Sequence, residues 1–322
     1  MAIKKRRDIL IVMAVIVAIL IPFSGKAFHI DDTLFVWAAR HLTQKTFPFY
    51  WFNINWYGYD MPMFQVMKNP PLTSYFIAVT APLVGWSERS LHFIFLLPAV
   101  SLGAAIYLIA EKFTRLPLIA TLAGIITPVF LVSGTTVMSD VLMLDLWCWA
   151  VYLWILGTEK KRLYLMLLAG VFIVLATLTK YFAMSLIPLL GAYSLYRKDR
   201  LALWLPGLML AAGLLAGYQL LTKEVYGRGL LLDAATYAAN IGPTLVGNKL
   251  EKVFTGLDYA GGCLVTVLFY GAFIWKKKTL VFWGLLFIIF IPFIAHTAAL
   301  EKLVYFSKEG KIDWGYMTQV SL

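Results

Sequence analysis

Four short stretches hold residue types suited to chemistry: His29-Ile30-Asp31-Asp32-Thr33, Lys68-Asn69-Pro70-Pro71, Val137-Met138-Ser139-Asp140 and Leu178-Thr179-Lys180-Tyr181-Phe182. Two adjacent carboxylates suit a general base, because one can stay ionised while the other orients it or binds a cation. Lysines can hold an anionic group and stabilise negative charge that builds on it. Each stretch also has a plain structural reading. Asp32 would cap a helix that follows it, and Asp140 and Lys180 would reach for the membrane interface. The readings separate only if the fold gathers these side chains in one place.

The elements that must do so are set by composition. The chain has 322 residues, is 61% hydrophobic and 14% charged, and has a mean hydropathy of +0.78. A soluble domain carries about 45–50% apolar and about 25% charged residues, so a soluble enzyme and a disordered chain are both excluded. Cys148 and Cys263 sit in apolar stretches without a CxxC spacing, which argues against a disulfide framework or a zinc–cysteine site.

A helical span needs about 20 apolar residues. Spans are expected near 8–27, 90–110, 117–136, 141–157, 163–179, 182–196, 201–221, 259–275 and 279–298. The expected fold is thus an all-α polytopic membrane protein of about nine transmembrane helices, a single membrane-embedded domain over 1–322. Met1 to Ser24, with Lys4-Lys5-Arg6-Arg7 before an apolar run, reads as an uncleaved signal anchor with a cytoplasmic N-terminus. That orientation puts 15 basic and 4 acidic residues into segments 1–8, 111–116, 158–162, 197–200 and 276–278. These short loops carry the whole net charge of +11, as the positive-inside pattern requires. The basic balance reports topology, and no nucleic-acid partner is expected.

Two larger outer segments remain, 28–89 and 222–258. In the first, Thr33 to Thr43 has helical spacing with Leu34, Trp37, Ala38 and Leu42 on one face, and reads as an interfacial helix. An aromatic stretch follows from Phe47 to Tyr59, and Leu72 to Val84 is apolar enough to lie along the membrane. The second carries Lys223, Arg228, Lys249 and Lys252 among Gly227, Gly229, Gly242 and Gly247. It is either a lid over a bound anion or a solvated connector with a short helix. His29, His41, His92 and His296 show no metal-ligand spacing, and no metal site is assigned. A divalent cation at Asp31 and Asp32 stays open.

With these features in order, the chain resembles the GT-C membrane glycosyltransferases, in particular the protein O-mannosyltransferase and lipid A aminoarabinose transferase group. The resemblance rests on Asp31-Asp32 after the first span, Lys68-Asn69-Pro70-Pro71, Ser139-Asp140 and Thr179-Lys180-Tyr181, and covers roughly residues 1 to 200. It implies an inverting transfer of sugar from a polyprenyl-phosphate donor to an acceptor hydroxyl on a protein, lipid or glycan at the outer face. By that pattern Asp31 resembles the base, and Asp32 stands where relatives often have Glu. Asp140 resembles a second acid near the catalytic centre, and Lys68 and Lys180 resemble contacts to the lipid phosphate. Relatives are generally longer, so the chain reads as a truncated or minimal member. Two other functions use the same charged face: a lipid or polyprenol-phosphate flippase, and a non-catalytic membrane scaffold.

Overall fold

The computed structural model describes residues 2–244 together with Gly256. The expected spans at 259–275 and 279–298, Cys263 and the end of the 222–258 segment lie outside the described residues.

The described chain is helical apart from one small hairpin. Helix α1 (Ala2–Leu20) runs into a 3-10 turn (Ile21–Phe23). The segment after it folds as α2 (Asp32–Gln44), strands β1 (Asn53–Asn55) and β2 (Asp60–Pro62), α3 (Met63–Val66) and α4 (Leu72–Val84). The bundle continues with α5 (Glu88–Phe113), α6 (Pro117–Ile125), α7 (Pro128–Ser133), α8 (Ser139–Lys160) and α9 (Leu163–Thr179). A second 3-10 turn (Tyr181–Ser185) leads to α10 (Leu186–Tyr196), α11 (Leu201–Tyr226) and α12 (Leu230–Thr244). Among the described residues, α5, α8 and α11 are long and apolar enough to cross a membrane.

Several span expectations change in detail. The stretch 117–136 is two short helices, because Pro128 lacks an N–H and restarts the helix behind Thr127, whose Oγ1 accepts from Phe130 N at 3.4 Å. The stretch 182–196 opens as a 3-10 turn before α10. Thr222 to Tyr226 still belongs to α11, and α12 lies in the outer segment for which a connector with a short helix was one reading. Trp37 is 41% exposed, whereas Leu34, Ala38 and Leu42 are buried with Phe35, Val36 and Ala39. The buried face of α2 is therefore turned away from Trp37.

Small residues allow the bundle helices to touch. A Cβ on Gly170 of α9 would lie 2.4 Å from the Gly207 carbonyl oxygen of α11, and one on Gly207 would lie 2.5 Å from the Met166 carbonyl oxygen. Such close backbone approach is how apolar helices gain packing when lipid is as oily as their side chains. Trp154 of α8 donates its indole N–H to Ser194 Oγ of α10 at 2.9 Å, satisfying both inside this layer.

The bundle has two chemically different ends. At one, Lys5 of α1 pairs with Glu111 of α5 at 2.6 Å and Lys112 of α5 pairs with Glu159 of α8. Asp8, buried beside Arg7, accepts from Tyr107 Oη at 3.2 Å. At the other end α2, the hairpin and α4 pack over the start of α8, the α9–α10 turn and the α11–α12 corner.

Candidate functional site

Asp31 and Asp32 are neighbours in sequence with opposite environments. Asp32 is fully buried in the first turn of α2. Its Oδ2 accepts from His29 N at 2.8 Å and its Oδ1 from Val137 N at 3.1 Å. Thus it does not cap the N–H groups of its own helix, as the sequence suggested. It ties the entry to α2 onto the segment that leads into α8. Burial raises its pKa above the ordinary 3.8, against the lowering pull of the two backbone N–H groups and of His92 and His29.

Asp31 holds the capping position of α2 without a side-chain capping bond. Its side chain is 47% exposed, and among the described residues the basic side chain within ion-pair range is His29, whose Nδ1 lies 4.0 Å from Oδ2. The same imidazole's Nδ1 accepts from Asp31 N at 3.3 Å. One carboxylate of the pair is therefore committed to the backbone, while the other remains available to something outside the fold.

The hairpin brings aromatic residues beside this acid. Gly58, at φ +88, makes the turn between β1 and β2 with the positive φ that a side chain disfavours. Trp56 meets Trp37 of α2 edge-on at 6.2 Å, which fastens the turn to the helix that Asp31 begins. Burial, and behind it the fields of Tyr237, Tyr59 and Asp31, raise the Tyr57 phenol above its ordinary value.

Asp140 and Lys180 meet. Lys180 Nζ donates to Asp140 Oδ1 at 2.6 Å, with both side chains about one-third exposed. The pair joins the first turn of α8 to the end of α9. Charges stranded next to a bilayer need such a partner, and each of these supplies the other's.

Lys68 is engaged too, by a residue that the sequence did not single out. Its Nζ donates to Asp233 Oδ2 at 2.7 Å, and Arg228 Nη1 donates to Asp233 Oδ1 at 3.3 Å. Each cation also lies over a ring: Lys68 over Tyr237 at 5.3 Å and Arg228 over Phe64 at 5.8 Å.

The α11–α12 corner that presents Asp233 is built locally. Gly227 ends α11 in the left-handed region at φ +70. Thr222 Oγ1 then accepts from Leu230 N at 3.1 Å, and Gln219 Oε1 accepts from Leu232 N at 3.2 Å, so α11 supplies the caps of α12. A Cβ on Gly229 would lie 1.8 Å from the Gln219 amide and would displace the side chain that caps Leu232.

A bed of tyrosines underlies these groups. Tyr50 is fully buried, and its N–H donates to Tyr226 Oη at 3.1 Å. Its own hydroxyl donates to the Asn69 carbonyl at 3.0 Å, fixing the backbone beside Lys68. Burial holds this phenol well above its ordinary pKa, so it serves as a neutral donor. Tyr181, next to Lys180, shares a 2.9 Å hydrogen bond with Tyr218 of α11. Phe49 stacks between Tyr218 and Tyr226.

A set of contacts, with Phe49 between Tyr218 and Tyr226, thus runs past four of the five residues picked from the sequence, and Asp31 joins it as the chain neighbour of Asp32. Asp32 reaches Val137 beside Asp140; Asp140 holds Lys180; Tyr181 meets Tyr218; Tyr50 links Tyr226 to the Lys68 turn. Among the described residues, no hydrogen bond or ion pair joins Asp31 to Lys68 or Lys180. No group of three or more His, Cys, Asp or Glu side chains gathers there as a metal site. Asp233 and Tyr237 went unnoticed in the sequence, although their one-turn spacing within Leu230–Thr244 was a readable signal.

Residues 68–217, somewhat under half of the chain, match a family described as dolichyl-phosphate-mannose-protein mannosyltransferase. No curated protein matches the chain. Among solved structures, ArnT from Cupriavidus metallidurans bound to undecaprenyl phosphate is similar, at 17% identity and a TM-score of 0.48. The match covers 63% of this chain and 40% of that one. The chain is therefore similar to membrane glycosyltransferases of the protein mannosyltransferase type, over a stretch that holds Lys68, Asp140 and Lys180.

Proposed function

We propose that this protein is an inverting glycosyltransferase that moves a sugar from a polyprenyl-phosphate donor to an acceptor hydroxyl. The observation that carries the reading is the split of the acid pair. Asp32 is buried and spent on backbone N–H groups, and this fixes Asp31 in a half-exposed position with its carboxylate free of any lysine or arginine within ion-pair range among the described residues. A buried anchor beside an available carboxylate is what a general base requires.

In the proposed reaction Asp31 takes the proton from the acceptor hydroxyl. The hydroxyl oxygen forms a bond to the anomeric carbon as the bond from that carbon to the donor phosphate breaks. The electron pair of the broken bond passes to the phosphate oxygen, and polyprenyl phosphate leaves. The anomeric carbon acquires oxocarbenium character on the way, as in glycoside hydrolysis. Lys68, backed by Arg228, meets the phosphate and stabilises the charge that grows on it. Lys180, held by Asp140, adds a second cationic group on the same side of the fold.

The orientation belongs to the same proposal. The end with Lys5, Glu111, Lys112 and Glu159 would face the cytoplasm, because the short basic segments lie there. The acids, lysines and tyrosines would then open to the outer side, where α2 and α4 lie along the membrane surface. The acceptor is a protein, lipid or glycan hydroxyl.

The test is transfer from radiolabelled polyprenyl-phosphate sugars in proteoliposomes, with wild type beside Asp31→Asn. Product from wild type and none from the variant supports both the reaction and the base. Product that persists in Asp31→Asn removes Asp31 from that role, and no product from any donor removes the reaction.

A further inference from the structure

Asp233 is an acid that neither the proposed chemistry nor the packing of the bundle accounts for. Its carboxylate is shared between two cations from different parts of the chain, Lys68 ahead of α4 and Arg228 at the α11–α12 corner. Each takes a different oxygen. The cluster carries two positive charges against one negative and is only partly covered, with 23% of both the Lys68 and Asp233 side chains exposed.

Each cation also has neutral supports besides Asp233. Lys68 rests on the Tyr237 ring, and its backbone is fixed through the Tyr50 hydroxyl on the Asn69 carbonyl. Arg228 rests on Phe64, which itself packs against Tyr226 at 5.2 Å. Two cations held by neutral groups, converging on two oxygens of one anion, form a site preset for an oxyanion. A phosphate presents the same pair of oxygens on a single atom.

Building on the reading that Lys68 and Arg228 meet the donor phosphate, we propose that Asp233 is an internal stand-in for that phosphate. It holds the two cations between turnovers, yields them when a polyprenyl phosphate arrives, and takes them back as the spent carrier leaves. The charge balance supports an exchange of anions, because a cation pair left bare beside a bilayer is costly. The exchange also separates binding from release. Without Asp233 the carrier would bind more tightly and leave more slowly.

The test is equilibrium binding of undecaprenyl phosphate to the full chain in nanodiscs, for wild type, Asp233→Asn and Lys68→Ala, with inorganic phosphate as competitor. Losing one competing charge-assisted contact should tighten binding to Asp233→Asn by about tenfold or more. In steady-state transfer the same variant should lower KM and kcat together, as slow carrier release requires. Asp233→Ser gives the same readout by a second route if the Asn side chain disturbs the corner. Unchanged or weaker binding in the Asp233 variants, with binding lost in Lys68→Ala, overturns the stand-in and leaves the phosphate site in place. Binding that survives Lys68→Ala at wild-type strength overturns the phosphate site itself.

Discussion

The two ends of the bundle handle charge in opposite ways. At the basic end, Lys5–Glu111 and Lys112–Glu159 each join neighbouring helices, while Arg7 and Arg197 pair with the nearby Asp8 and Asp199. At the other end, Lys68, Arg228 and Lys180 are matched by Asp233 and Asp140, while Asp32 is buried on backbone N–H groups. Asp31 there keeps a half-exposed carboxylate beside His29. The difference bears on the proposed chemistry: charges that fasten helices are common to both ends, and among the described residues the end with Asp31 also holds Lys68, Arg228 and Lys180.

Substitutions can break this contrast, and Asp31→Asn should have the largest effect. A general base contributes about 10²–10⁴-fold, so transfer in proteoliposomes should fall by at least about a hundredfold while thermal stability stays level. Loss of stability with retained transfer would place Asp31 among the fasteners.

Lys68→Ala comes next. Removing a charge-assisted contact to the donor phosphate, worth about 1.5–3 kcal/mol, should raise the donor KM by about ten- to a hundredfold. Initial rates against donor concentration check this. A change in melting temperature without a change in KM would make the Lys68–Asp233 contact purely structural.

Asp32→Asn sharpens the division within the acid pair. Asparagine can accept only one of the two N–H groups that Asp32 serves, so about 1–3 kcal/mol of stability should be lost. The effect should depend on pH. Burial raises the Asp32 pKa above 3.8 in the fold, so between the unfolded and folded values the native chain keeps a proton that the unfolded chain has released. Its stabilising contribution is full below the unfolded value and declines as pH rises through the folded one. Thermal unfolding in detergent across the acidic range should show this decline in wild type and lose it in Asp32→Asn.

Lys5→Ala should do least. The Lys5–Glu111 pair is about one-third exposed, and such pairs contribute about 0–1 kcal/mol. Transfer should be unaltered, which activity beside wild type would check. A large loss of activity would mean that the basic end is coupled to the chemistry.

Much of this arrangement was legible in the amino acids. Composition required a membrane protein, and hydropathy located Leu163–Thr179 at the bounds seen in the fold. Asp140 and Lys180 were marked by residue type at span ends, and they pair. The helix at Leu72–Val84 was marked by its apolar run.

Other features were set by contacts that no local pattern carries. Asp31 and Asp32 are equivalent as sequence, and only the approach of Val137, far along the chain, buries one and frees the other. The partner of Lys68 lies 165 residues away, on a helix of the segment read as an outer lid or connector. Spacing and hydropathy report which residues a helix turns to one side. Which remote backbone or side chain meets them depends on packing, through glycine contacts such as Gly170 on Gly207 and corners such as Gly227–Gly229. The sequence by itself determined the membrane setting, the basic end and the residue types available for chemistry. Tertiary structure decided which acid is anchored, which is available and which cations are already held, because burial and long-range hydrogen bonding act on positions that the chain brings together only when folded.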